Sequence, residues 1–356
     1  MTSVRARALA LRDAFEGNGA EVVDPPVLQS ADLLLDLYGE DIRARAYVTS
    51  DALRGEQMLR PDFTVPVVQM HMAHGAEPAR YTYAGEVFRR QEDDADRPSE
   101  YLQVGYEVFD RNDPAAADAE VFAIISGAVA ALPLRAATGD IGILMAAVEG
   151  LNTCEKRRAA LRRHIWRPRR FRALLDRFGG RAPVPESRVA LLAGVAQTDA
   201  PLMGLRSQSE IDARIEAIRQ DAAEAPISVA EMDALDVLLS VRETLPFALS
   251  RLRDLAVDLP SIRQAVTRVE VRADALVARG VDVDTLEFEA SYGRTSMEYY
   301  DGFVFGFHAE SRPDLPPVAT GGRYDALTHR LGGGAEIPAV GAVLRPDLMA
   351  LLEGDL

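Results

Sequence analysis

The chain has 356 residues, 48% hydrophobic and 27% charged, with 40 Lys and Arg against 55 Asp and Glu for a formal net charge of −15. That length supplies one large domain, or a domain with a sizeable insertion, and the acidic balance argues against nonspecific nucleic-acid binding while leaving a local basic patch open. A single cysteine, Cys154, excludes an intrachain disulfide framework and a multi-cysteine zinc site, and no apolar run approaches the roughly 18 residues of a membrane span.

Residues 4–16 suit a helix that stops at Gly17-Asn18-Gly19. Arg5, Arg7, Arg12 and Asp13 interrupt its apolar residues, so it offers no signal-peptide core and the chain reads as cytoplasmic. A short apolar stretch, Glu21-Val22-Val23, runs into Pro25-Pro26, which belong at a strand end or edge. Ala31 to Tyr38 is a second helix. Strand patterns follow at Arg45–Ser50, Gln57–Leu59, Tyr81–Val87 and Tyr101–Phe109, interrupted by a helix over Thr64–His74. Residues 115–131 are Ala-rich and helical. Between about 150 and 270 strand signals vanish and Ala, Leu, Arg and Glu dominate, which predicts a helical block with an insertion near 180–265. Within it, Glu155 to Arg177 carries ten Lys and Arg against two acids, either a phosphate-facing patch or a solvated helix face. Strand signals return at Thr285–Ala290 and Gly302–Phe307, then a glycine-rich stretch and a last short helix. Strands, helices and strands again predict an α+β fold, a mainly antiparallel sheet flanked by helices.

Neither Cys154 nor the His71/His74 pair has the partners that a nucleophile or metal site needs, so no metal and no cofactor are expected. Four other segments carry chemistry. In Arg60-Pro61-Asp62-Phe63-Thr64, a carboxylate and a hydroxyl two residues apart can meet a ligand ammonium, or Asp62 can serve as a helix cap. In Tyr101–Phe109, strand alternation puts Gln103, Gly105 and Glu107 on one face, so that an amide and a carboxylate flank a gap suited to a small polar ligand. The third segment runs from Ser291 through Tyr299-Tyr300-Asp301. The fourth is Gly321-Gly322-Arg323-Tyr324-Asp325, whose glycine pair lets a backbone approach a ligand closely. None matches a phosphate loop or a dinucleotide fingerprint.

In this order the four segments resemble the catalytic domain of histidyl-tRNA synthetase, a class II synthetase, over roughly residues 5–135 and 283–354. Pro25-Pro26 resembles the proline of the dimer-forming first motif, Phe88-Arg89 the Phe-Arg of the second. Tyr299-Tyr300 and Gly321-Gly322-Arg323-Tyr324-Asp325 resemble the two histidine-specific motifs. By this resemblance Asp62, Thr64 and Gln103 contact a substrate ammonium, Gln103 and Glu107 belong to the histidine pocket, and Tyr299 and Tyr300 close on the imidazole. Arg89 retains the first of three ATP-binding arginines. The second position falls on Thr295, with Arg294 one register away, and the third on Leu348, with Arg345 a turn earlier.

A preserved amino-acid pocket with a damaged ATP site, in a chain that ends eight residues after Leu348 without a C-terminal anticodon-binding domain, is similar to the regulatory subunits of ATP phosphoribosyltransferase. That resemblance implies a non-catalytic subunit that forms a self-dimer through residues 21–38, assembles with the short-form catalytic subunit, binds L-histidine for feedback control, and binds neither tRNA nor membrane. A free-standing histidine-activating ligase and a structural scaffold with a relic pocket are the alternatives.

Overall fold

The computed structural model describes all residues except 1, 39–41, 92–96, 195–202, 205, 295–298 and 355–356. The elements in chain order are α1 (Thr2–Gly17), β1 (Glu21–Val22), β2 (Leu28–Ser30), α2 (Ala31–Tyr38), α3 (Ile42–Arg45), β3 (Val48–Asp51), β4 (Gly55–Leu59), α4 (Thr64–His74), β5 (Ala79–Phe88), β6 (Glu100–Phe109), α5 (Pro114–Val129), β7 (Leu134–Asp140) and α6 (Ile141–Glu149). A helical run follows: α7 (Glu155–Arg163), α8 (Pro168–Phe178), α9 (Glu186–Leu192), α10 (Gln208–Ala223), α11 (Val229–Ser240), then β8 (Arg242–Thr244), α12 (Leu245–Asp258) and α13 (Arg263–Ala278). The chain returns to the sheet with β9 (Glu287–Glu289), β10 (Phe303–Ala309), β11 (Ala319–Arg323), α14 (Asp325–Leu331), β12 (Ala339–Leu344) and α15 (Pro346–Glu353).

Nine strands form the main sheet in the order β1-β5-β6-β12-β11-β10-β7-β9-β8, antiparallel except for the β1–β5 and β7–β9 pairs. A small sheet, β2-β4-β3, stands beside it. The long central strands carry alternating large apolar residues, and α1 and α5 lay their apolar stripes across the sheet. Phe15 of α1 meets Tyr106 edge-on, their centroids 5.6 Å apart, and Phe122 of α5 packs on Phe303, Phe305 and Phe307 of β10.

Several elements of the structure are not marked by the sequence pattern. Leu134–Asp140 is a strand and Ile141–Glu149 a helix, in a stretch whose small residues carry little period. The glycine-rich 319–323 and 339–344 are central strands, although glycine weakens strands in isolation. Inside the helical block, β8 pairs with β9 at the sheet edge, so that block is not purely helical. Arg45 belongs to α3 rather than to the strand expected from that residue.

Part of the basic stretch pairs with acids of this chain, although of its basic residues only Arg157 is buried. Arg157 and Arg177 pair with Asp221 of α10 at 2.8 and 2.7 Å, Arg172 pairs with Asp236 of α11, and Arg162 meets Glu149 and Glu155. The arginines thus fasten α7 and α8 to the acidic helices that follow. Deeper in the molecule, Arg272 of α13 bridges Asp118 of α5 (3.2 Å) and Asp140 at the end of β7 (2.6 Å).

Candidate functional site

The site lies at one end of the sheet, where β5 leaves, β6 enters and β12 leaves. A cavity of about 290 Å³, at the small end of ligand pockets, is walled by Asp62, Thr64, Arg89, Gln103, Tyr299 and Tyr300. Six residues from four separate segments therefore meet at one place, with Gln103 and Tyr300 on the same side of the sheet.

Each is placed by local structure. Pro61 ends the extended run after β4, and Asp62 and Thr64 follow at the start of α4. Asp62 accepts a hydrogen bond from the Val65 amide (3.3 Å) while remaining on the cavity wall, so it combines the capping role with the ligand-facing one. Arg89 is tethered through Nε to the Pro61 carbonyl at 2.7 Å. Tyr299 and Tyr300 pack edge to face, their centroids 4.9 Å apart, and Tyr299 also meets Tyr324. Burial beside Glu107 pushes the Tyr300 hydroxyl above its ordinary pKa, so it is a neutral donor at physiological pH. Gln103 is buried, and its Oε1 has no hydrogen-bond partner among the described residues. A buried amide oxygen left without a donor, in a residue that lines a cavity, is a demand for one.

Glu107 and the glycines differ from expectation. Glu107 is fully buried and is not on the cavity wall. It accepts hydrogen bonds from Tyr324 (2.6 Å), Tyr83 (2.8 Å) and Thr64 (3.2 Å), and its position against the face of Gly341 leaves no room for a Cβ there. Burial lifts its carboxyl to about 7 against the opposing pull of those three hydroxyls. Glu107 thus positions Thr64 and the tyrosines, one step behind the cavity. Nor is Gly105 an open gap: the ring of Tyr83 lies over it. Gly321 makes room for Phe305 and Ala342, and Gly322 for Tyr300, so the glycine pair admits aromatic rings rather than a ligand. Arg323 points away into a buried network, donating to Asp118 (2.7 Å), Asp325 (3.0 Å) and the Pro114 carbonyl (2.7 Å).

Of the two arginines discounted from the sequence, Arg294 is buried against the helical block. It donates to the Ile165 carbonyl (2.9 Å) and lies over Phe171, and loss of water lowers its pKa to about 10. Arg345 does reach the cavity, beside a Pro316-Pro317-Val318 wall that the sequence pattern does not reveal. Leu348 is buried in the core face of α15, and Thr295 lies outside the described residues. Tyr101 also lines the cavity; its position two residues before Gln103 on the same strand face was the available signal. Among the described residues no group of three or more His, Cys, Asp and Glu is placed to hold a metal. His71 is a core residue, stacked on Phe109 and hydrogen-bonded to Tyr81.

A family model described as histidyl-tRNA synthetase matches residues 2–211 and 211–349. A curated relative from Brucella ovis, named ATP phosphoribosyltransferase regulatory subunit, is 33% identical over 97% of this chain and 96% of its own length. A solved structure from Bacillus halodurans, described as an ATP phosphoribosyltransferase regulatory subunit/histidyl-tRNA synthetase, superposes with a TM-score of 0.70 at 20% identity, covering 98% of this chain and 78% of that one. A histidine–tRNA ligase subunit from Alicyclobacillus acidocaldarius gives 0.60 at 24% identity, over 99% of this chain and 93% of that one. At these identities the two structures establish the fold.

Proposed function

The chain belongs to the family of ATP phosphoribosyltransferase regulatory subunits, built on the histidyl-tRNA synthetase fold, and from that membership we propose how its cavity serves the enzyme. It is a regulatory subunit in histidine biosynthesis, with no catalytic role of its own, and its partner is the catalytic subunit of ATP phosphoribosyltransferase. We infer that this partner is the short-form catalytic subunit, that the complex works in the cytoplasm without tRNA, and that the cavity binds L-histidine for feedback control. In this reading the chain is one synthetase-like domain, with the central part of its helical block as an insertion.

The observation that carries the ligand assignment is the open acceptor of Gln103 beside Asp62 and Thr64. A carboxylate, an amide oxygen and a hydroxyl together suit an ammonium group, and the Tyr299-Tyr300 pair offers hydroxyls and ring faces to an imidazole. Glu107 fixes that constellation from behind. Saturation with L-histidine at about 100 times its dissociation constant should stabilise the fold by about 2.7 kcal/mol, read as a rise in thermal midpoint. Gln103→Leu, which removes the acceptor at little cost in volume, should abolish the rise. An unchanged midpoint in the wild-type protein, with no heat in calorimetric titration, would make the pocket a relic.

The ligase reading draws on the one arginine that enters the cavity unforeseen, Arg345. With Leu348 apolar and Arg294 committed to the helical block, we expect no histidine-dependent pyrophosphate exchange. Robust exchange by the purified chain would favour the ligase.

The self-dimer has its own surface. Val22, Val27 and Leu28 around Pro25-Pro26 are exposed, as is Val48 of β3, apolar side chains that a twofold partner would cover. Leu28→Glu should shift the protein from dimer to monomer in sedimentation velocity at micromolar concentration. A dimer unaffected by Leu28→Glu and Val48→Glu together would place the interface elsewhere.

A further inference from the structure

We propose that Arg345 is the carboxylate reader of the cavity, restricting it to free amino acids and closing it to esters, amides and adenylates. The inference rests on the amino-acid reading of the cavity and extends it to the ligand's carboxylate.

Arg345 stands at the start of α15, one residue beyond the last pair of the β12–β6 ladder, in which Leu344 faces Val104. Extending that register by one residue sets Arg345 across from Gln103, and strand alternation puts both side chains on the cavity face with Gly341 and Val343. The Arg345 amide donates to the Val318 carbonyl at 2.9 Å, which ties the backbone to the Pro316–Val318 wall. The guanidinium itself is held on two sides. Its carbon lies 4.0 Å from the centroid of the Tyr101 ring, and the Asp347 carboxylate takes Nη2 at 2.7 Å and Nε at 3.4 Å. Nη1 has no hydrogen bond among the described residues. A planar donor fixed by a ring and a carboxylate, with one donor arm left over, is preorganised to bind and costs little ordering when it does.

The charges select the anion. Asp347 offsets most of the positive charge of Arg345, which leaves directed hydrogen bonding rather than a strong field. That suits a single carboxylate and suits a triphosphate poorly, because a polyphosphate requires several uncompensated cations. Asp62 supplies the opposite sign elsewhere on the same wall, so the cavity presents an acid and a base to the two ends of a zwitterion. Arg89 lines the cavity as well, but its Nε is already committed to the Pro61 carbonyl.

The test compares calorimetric affinities for L-histidine, L-histidine methyl ester and L-histidinol in the wild-type chain and in Arg345→Gln, with thermal midpoints confirming that the variant folds. Wild type should prefer L-histidine over both carboxyl-blocked analogues by about 10- to 100-fold, the range for a hydrogen bond to a charged group. Arg345→Gln should lose most of its affinity for L-histidine while binding L-histidinol within about threefold of wild type, so that the preference collapses. Arg345→Lys, which keeps charge but loses the fork, should recover only part of it. Equal weakening of all three ligands, or an unchanged preference for the free acid, would overturn the assignment of Arg345. Failure of the wild-type chain to bind any of the three would instead overturn the amino-acid reading beneath it.

Discussion

Arg272→Met is expected to lower the unfolding free energy by about 3–5 kcal/mol, the usual loss when one partner leaves a buried ion pair. Arg272 is 5% exposed and lies between Asp118 and Asp140, with its guanidinium over the ring of Phe303. Methionine fills much of the volume but leaves the buried Asp140 without its cation and Asp118 with Arg323 alone. The cost is large because the same Asp118 also holds Arg323, which in turn holds Asp325. Loss of Arg272 therefore disturbs the strand end that leads into α14. Chemical denaturation of the variant reads the change. A loss below about 1 kcal/mol would mean that the aspartates reach water or protonate at little cost. The double variant Arg272→Met/Asp140→Ala should be less unstable than the sum of the two singles, since it removes an unpaired charge along with its partner.

Glu107→Ala should destabilise the protein by about 3 kcal/mol or more, since three buried hydroxyls lose their common acceptor. Thr64, Tyr83 and Tyr324 are all buried, and among the described residues none of their hydroxyls has another hydrogen-bond acceptor. Ligand binding should fall with it, because Thr64 and the tyrosine cluster lose their alignment. The same residue gives a pH dependence. Its carboxyl, raised to about 7, holds a proton more tightly in the folded chain than in the unfolded one. Asp301, which caps the first amides of α14 and is also raised to about 7 by burial beside Asp325, acts in the same direction. The protonated forms stabilise the fold fully below the ordinary carboxylate range, and that contribution is lost as pH rises through about 7. Thermal midpoints should therefore drop between pH 6 and 8, and Asp301→Asn should flatten the slope. A slope over that interval that Asp301→Asn leaves unchanged would contradict the burial argument for Asp301, the wild-type slope itself being offset by the buried His71 and His308, whose burial acts in the opposite direction.

Much of the architecture was legible wherever period and punctuation agreed. The boundaries of α2 and α4 follow directly from apolar runs flanked by turn residues. The alternation of Tyr101–Phe109 placed Gln103 and Glu107 on one face, and that face is the one that lines the site. What alternation cannot supply is depth. Glu107 lies behind the wall because β12 pairs with β6 and sets Gly341 against its carboxylate, a contact between residues 234 positions apart. The apparent gap at Gly105 is occupied because β5 pairs in a register that opposes Tyr83 to it. Strands β11 and β12 were obscured for a related reason: Gly321 and Gly322 of β11 admit the rings of Phe305 and Tyr300, Gly341 of β12 admits the Glu107 carboxylate, and local propensity does not see those groups. Arg345 was discounted by counting along a helix, whereas it sits before the helix starts, on the end of a strand.

The regulatory assignment meets its most direct test in the phosphoribosyl transfer rate of the short-form catalytic subunit from the same organism, measured while this chain is titrated in, with and without L-histidine. The chain alone should show no transfer; its addition should raise the rate to a plateau at a fixed stoichiometry, and L-histidine should lower that plateau in wild type but not in Gln103→Leu. A catalytic subunit whose rate is the same at every concentration of this chain, and which elutes separately from it at micromolar concentration, would contradict the assignment.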